Sequence, residues 1–162
     1  MITGCSIPSQ LPAIVPKVDL LKYAGKWYEI AAFPNSFQKN CFCSTAEYTI
    51  SDKGYVKIFN ACRKGGFNGK ISTITGKAFS LAGTNNTKLR VQFFWPFRAD
   101  YWVIGLAEDY SYAMVSGPSR KYLWILGRKP QLDEITYQSV LAALRNNGFD
   151  LSRLKRTEQK CE

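Results

Sequence analysis

The chain has 162 residues, 46% apolar and 21% charged, enough for one domain with a sizeable core. It contains no histidine, so the usual general base, the commonest metal ligand and the histidine-assisted nucleophiles are missing; no enzyme activity, metal site or cofactor is expected. Twenty-two Lys and Arg against twelve Asp and Glu give a formal charge of +10, which favours anionic partners, but the basic residues are scattered and form no block dense enough for a nucleic-acid groove.

The chain opens Met1-Ile2-Thr3-Gly4-Cys5. An aliphatic residue, a small residue, glycine and cysteine is how a lipoprotein signal ends, with the cysteine as the lipidated first residue of the mature chain. The apolar stretch that precedes such a cysteine is absent, so the match is partial. Pro8, Pro12 and Pro16 follow at a spacing that interrupts helix and ladder alike, and residues 1–18 read as an extended leader to a domain of residues 19–162.

From residue 26 the apolar period is two. Strands are expected at 27–33, stopped by Pro34-Asn35, and at 45–50, with Ala46, Tyr48 and Ile50 on one face. Ser51-Asp52-Lys53-Gly54 reads as a tight hairpin turn into a strand at 55–62. Further strands follow at 71–81, 88–95, 101–107, 112–116 and 122–128. The strand at 88–95 alternates best, with Leu89, Val91, Phe93 and Trp95 facing one way. The period then changes. Asp133 and Glu134 suit a helix start, Leu132, Thr136, Val140 and Leu144 with Ala143 form a stripe at helical spacing, and Asn147-Gly148 ends it. Residues 153–159 read as a last short strand. The expected fold is all-β: an eight-stranded antiparallel up-and-down barrel, one C-terminal helix packed outside and a short final strand.

Alternation places Tyr48, Ile58, Leu89, Val91, Phe93 and Trp124 inside, with Phe33, Tyr101 and Tyr112 as further candidates. Such a barrel holds one small ligand. An apolar, aromatic lining suits an acyl chain, each buried methylene contributing about 0.8 kcal/mol. Arg63, Lys64, Lys70 and Arg98 lie in connections that can reach the rim and hold an anionic head group. Of five cysteines, Cys41, Cys43, Cys62 and Cys161 can form two disulfides, which implies an oxidising compartment. A two-residue turn at Asp52-Lys53 sets Cys43 opposite Cys62 but puts Lys57 on the face of Tyr48. The apolar pattern instead asks for a one-residue slip, with Cys62 opposite Phe42. Three connectivities remain open at this point.

Gly25-Lys26-Trp27, Glu108-Asp109-Tyr110 and Arg128 match, in order and spacing, the three motifs of the lipocalins, with Glu108 where Thr is common. Residues 25–31, 93–97, 101–104, 116–120 and 122–126 resemble more narrowly the bacterial outer-membrane lipoprotein lipocalins and their apolipoprotein D-like relatives. The resemblance implies that Gly25, Trp27, Asp109, Tyr110 and Arg128 are fold residues, Trp27 plugging one barrel end beneath the Arg128 guanidinium. It implies disulfides Cys41–Cys62 and Cys43–Cys161. It implies binding of fatty acids such as palmitate, or of lysophospholipids, in outer-membrane maintenance under stress, on the periplasmic face and anchored through Cys5. Without that lipid the protein would be periplasmic or secreted. It also allows a homodimer. Two alternatives are a cysteine-dependent lipid isomerase using an inward Cys62, and a carrier of another hydrophobe such as a pigment.

Overall fold

Apolar alternation becomes eight antiparallel strands: β1 (Gly25–Ala32), β2 (Cys41–Ile50), β3 (Val56–Lys64), β4 (Ile71–Ser80), β5 (Lys88–Gln92), β6 (Ala99–Leu106), β7 (Tyr112–Ser116) and β8 (Leu123–Gly127). The computed structural model describes residues 10–161; Cys5, Pro8 and the rest of residues 1–9 lie outside the described residues. Each strand pairs with the next, and β1 pairs with both β8 and β2, so the sheet closes into a ring. A two-residue strand, β9 (Lys155–Arg156), joins β1 outside the ring. A short helix, α1 (Leu20–Tyr23), precedes β1, and a longer one, α2 (Glu134–Asn146), follows β8.

There are two apolar clusters. Trp27, Tyr48, Ile58, Leu89, Val103 and Val115 belong to the cluster inside the barrel. Ile30, Phe33, Trp102, Ile104, Leu123 and Ile125 pack outside it against Tyr137, Val140 and Leu144 of α2. Strands under the helix are therefore apolar on both faces, as in Trp102-Val103-Ile104, whereas β2 to β4 alternate. Asp133 caps α2 by accepting from Thr136 N at 2.9 Å, and Gly148 follows it at φ 82°, the left-handed backbone that ends many helices. The buried face of α2 runs through Tyr137, Val140 and Leu144; Val140 and Leu144 are where the stripe is expected, while Tyr137 is buried in place of the half-buried Thr136 and Ala143 is exposed. Tyr137 carries that face because its ring is apolar although its tip is polar.

Several expected boundaries move for physical reasons. The connection after β2 is the wider loop 51–55, closed by Ser51 N donating to Tyr55 O at 2.9 Å. It sets Tyr48 opposite Ile58, which neither expected register does, whereas at the cysteine end Cys41 pairs with Lys64 and Phe42 with Arg63, as the two-residue-turn register has it. Farther along β2 the register shifts between Phe42 and Thr45, where Cys43 sits at φ 54°. Cys41 is bonded to Cys62 and Cys43 to Cys161, with Cα atoms 5.4 and 6.2 Å apart. β5 stops at Gln92, and Phe97 N donates to Phe94 O at 2.8 Å in a turn that leaves Trp95 in solvent instead of beside Val91. The final strand is only Lys155–Arg156. The tail beyond it still fills the gap where β2 parts from β1, Gln159 Nε2 donating to Glu29 O and Ser44 O, each at 2.9 Å.

The described residues just before β1 pack against the barrel. Val18 is buried and Val15 half-buried in the interior cluster. Asp19 accepts from the Leu21 and Lys22 amides and starts α1, a helix that proline spacing gave no reason to expect. α1 crosses one barrel end. Trp27 beneath it is fully buried, and its Nε1 donates to Tyr23 O at 2.8 Å. The Arg128 guanidinium lies 3.8 Å from the Trp27 ring centroid. It donates to Lys22 O at 2.7 Å, Lys26 O at 3.0 Å and Tyr23 O at 3.1 Å. Gly25 has φ 99°, and a Cβ there would meet Arg128 Nη1 at 3.3 Å, so this position demands glycine twice over. Tyr110 OH accepts from Asp19 N at 2.9 Å, and Asp109 accepts from Ser111 N at 3.0 Å. Replacing Arg128 with Met removes the cation over the indole and the guanidinium hydrogen bonds to three carbonyls, and should lower the unfolding free energy by about 1–3 kcal/mol. Urea titration of the variant checks this; a loss within about 0.5 kcal/mol would mean the stack is ornamental.

Candidate binding cavity

Above the floor formed by α1 and Trp27 lies a cavity. Val18, Leu20 and Tyr23 line it from below, and Tyr48, Val56, Ile58, Ala78, Leu89, Val91, Tyr101 and Val103 from the walls. No lining residue carries a charge. Three phenols supply its polarity: Tyr101 OH is 2.7 Å from Tyr23 OH and 3.0 Å from Tyr48 OH. Three hydroxyl protons serve two hydrogen bonds, so one donor remains for an oxygen of an occupant. Burial raises all three phenol pKa values, Tyr48 to about 12 and the others well above their ordinary range, so the group is neutral in physiological conditions. The lining is thus apolar apart from these phenols, which leave one hydroxyl proton for an oxygen placed among them.

Of the nine residues expected to line it, seven lie in or against the interior cluster: Tyr48, Ile58, Leu89, Val91, Phe93, Tyr101 and Trp124. Phe93 packs over Gly76, where a Cβ would come within 2.7 Å of its ring. Phe33 and Tyr112 do not line the cavity; both lie in the outer cluster, under α2. For Phe33 the cause is an irregularity in the β1–β8 pairing between Glu29 and Ala31, which turns the following residues over relative to Trp27. Tyr112 shares parity with Met114, on the helix-facing side of β7, while Ala113 and Val115 point inward.

Sequence reading also missed contributors. Val56 alternates with Ile58 and was detectable; Tyr23 sits in α1, where no period signals it. Glu29 is another. Its side chain is buried beside the connection after β1, accepting from Thr157 Oγ1 at 2.6 Å and from Gln38 Nε2 at 2.5 Å. Gln38 Oε1 in turn accepts from Trp124 Nε1 at 2.8 Å. Burial raises the Glu29 pKa, against the opposing pull of these two donors. Cys62 is buried and its sulfur is bonded to Cys41. Arg63, Lys64, Lys70 and Arg98 lie at the barrel end opposite Trp27, where β3 ends and β4 and β6 begin. Among the described residues no group could hold a metal ion, and no helix is long and apolar enough to cross a membrane.

Comparison with known proteins agrees with this geometry. The family model of the lipocalin-like domain matches residues 18–159. Temperature-induced lipocalin-1 of Arabidopsis thaliana is 36% identical over 155 residues, covering 90% of this chain and 82% of that protein. The outer membrane lipoprotein Blc of Escherichia coli strain K12 is 35% identical over 158 residues, covering 94% of this chain and 87% of that one. Insecticyanin from the tobacco hornworm Manduca sexta superposes with a TM-score of 0.73 at 23% identity, over 93% of this chain and 85% of that one, which shows a shared fold.

Glu29, buried where β1 parts from β2, gives the fold a pH signature. A carboxyl whose folded pKa is raised contributes stability that is fully present below the ordinary carboxylate pKa and is lost as pH rises through the raised value. Glu29→Gln should therefore gain on the wild-type protein in urea unfolding as pH is taken from about 4 to about 7. A difference that does not change with pH would mean Glu29 titrates as it does in the unfolded chain.

Proposed function

The chain belongs to the lipocalin family, and from that premise we propose that it binds and carries hydrophobic ligands, fatty acids or lysophospholipids, in the barrel cavity. The observation that carries the reading is an uncharged cavity closed at one end by Trp27 and Arg128, with basic residues gathered at the other. An acyl chain enters tail first and its anionic head stays at the basic rim, because a carboxylate among uncharged side chains would lose its hydration without a counter-charge. The relative named an outer membrane lipoprotein supports a cellular place: the periplasmic face of an outer membrane, with Cys5 lipidated and the cargo serving maintenance of that membrane under stress. Without the lipid the same domain would act in the periplasm or be secreted. The bond between Cys62 and Cys41 weighs against the cysteine-dependent isomerase, since a bonded sulfur is no nucleophile.

Native mass spectrometry of protein purified without detergent should find a fatty acid or lysophospholipid mass bound one to one. Leu89→Trp, which fills the cavity, should weaken a fluorescent fatty acid by about tenfold or more while the far-ultraviolet spectrum is unchanged. Neither a bound lipid nor affinity for the fluorescent acid would overturn the proposal, and a bound pigment would replace it with another cargo.

A further inference from the structure

The open end of the barrel combines two surface features that the closed end lacks. Four connections meet there, residues 33–40, 65–70, 93–98 and 117–122. They hold five basic residues, Lys39, Lys70, Arg98, Arg120 and Lys121, and no Asp or Glu; Arg63 and Lys64 end β3 beside them. The connections at the other end, 51–55, 81–87, 107–111 and 128–133, hold three basic residues and four acidic ones. The charge of this molecule is thus polarised along the barrel axis. Arg120 is turned aside, its Nε donating to Asn147 O at 3.0 Å, while Lys64 Nζ donates to Lys39 O at 3.0 Å and the Arg98 guanidinium lies 4.3 Å from the Phe79 ring centroid.

The second feature is aromatic. In the 93–98 connection Phe93 packs inside, but Phe94, Trp95 and Phe97 are 69%, 85% and 76% exposed, and Phe37 in the 33–40 connection is 70% exposed. Three large rings on one four-residue turn are poorly placed in water. Exposed Trp and Phe among Lys and Arg is the composition that settles at a bilayer interface. A second copy of the chain is a poor occupant for this face, because pairing two open ends would set like charge against like charge.

The N-terminal segment leads to the same end. Ala13 exchanges hydrogen bonds with the Asn147 side chain, at 2.7 and 2.9 Å, and the carbonyl of that Asn147 is the one Arg120 of the open-end connection holds. Cys5 stands eight residues before Ala13. At about 3.3–3.6 Å per residue at most, a lipid there reaches a membrane lying against the open end.

We propose that the open end docks on an anionic phospholipid bilayer, with Phe94, Trp95 and Phe97 in the interfacial layer and Lys39, Lys64, Lys70 and Arg98 against the phosphates. The cavity mouth then faces the membrane, so that a lipid passes between them without crossing water. The docking does not depend on which ligand the cavity holds.

The test uses the full chain carrying Cys5→Ser, so that no lipid anchor contributes, and vesicles containing phosphatidylglycerol or phosphatidylcholine alone. Binding to the anionic vesicles is expected, weaker by about tenfold on phosphatidylcholine or in about 0.5 M salt. Trp95 emission should shift to the blue and be quenched by brominated lipid, and Trp95→Phe should abolish that change. The triple variant Phe94→Ser, Trp95→Ser, Phe97→Ser should lose about tenfold or more in vesicle affinity while its affinity for the fluorescent fatty acid is unchanged. No binding of the parent chain to anionic vesicles, or undiminished binding of the triple variant, overturns the proposal. So does a parent dimer that becomes monomeric in the triple variant without any vesicle binding, which would make the rings a protein interface.

Discussion

The guanidinium of Arg128 holds three backbone carbonyls, of Lys22, Tyr23 and Lys26, while lying 3.8 Å from the centroid of the fully buried Trp27 ring. Those carbonyls belong to α1 and the first residues of β1, so one side chain from the end of β8 fixes the segment that crosses the barrel floor. The rest of the interior depends on that closure. An apolar cavity repels water only if both the walls and one end are sealed, and Val18, Leu20 and Tyr23 reach the cavity only because α1 is pinned across it. Gly25 is part of the same device, since a side chain there would push against Arg128.

Closure at one end leaves the other to act. The wall strands lead there to connections that carry basic and aromatic residues, and side chains as well as ladder bonds tie this end together. Trp124, Gln38, Glu29 and Thr157 form one hydrogen-bonded chain linking β8, the connection after β1, β1 itself and the C-terminal tail. The tail then reaches Cys43 through Cys161. The open end is thus held by two disulfides, Cys41–Cys62 and Cys43–Cys161, and a buried carboxyl, whereas the closed end is held by stacking and carbonyl capture.

Where one sheet face is buried, the sequence could be read directly: Tyr48 and Ile58 alternate with polar residues and line the cavity, as do Leu89 and Val91. Where both faces are buried, alternation cannot separate the barrel interior from the surface under α2. Tyr112 fell on the wrong side for that reason. Phe33 fell there because an irregularity in β1 reverses parity after Glu29, and nothing in the residue types announces it. Trp95 looked like the last member of an alternating strand, yet the turn from Phe94 to Phe97 takes it out to solvent. The motifs Gly25-Lys26-Trp27 and Arg128 proved informative about fold, whereas the polar group of the cavity, Tyr23 with Tyr48 and Tyr101, rests on a helix that no pattern predicted.

The central claim is that cargo sits above this floor, inside the ring, and not in the second apolar cluster beneath α2. Nuclear Overhauser spectroscopy on protein with labelled Ile, Leu and Val methyl groups, loaded with a fatty acid, tests it most directly. Contacts are expected from the acyl chain to Ile58, Leu89 and Val91, and none to Ile30, Val140 or Leu144. Contacts to the latter three, with silence from the former, would contradict it.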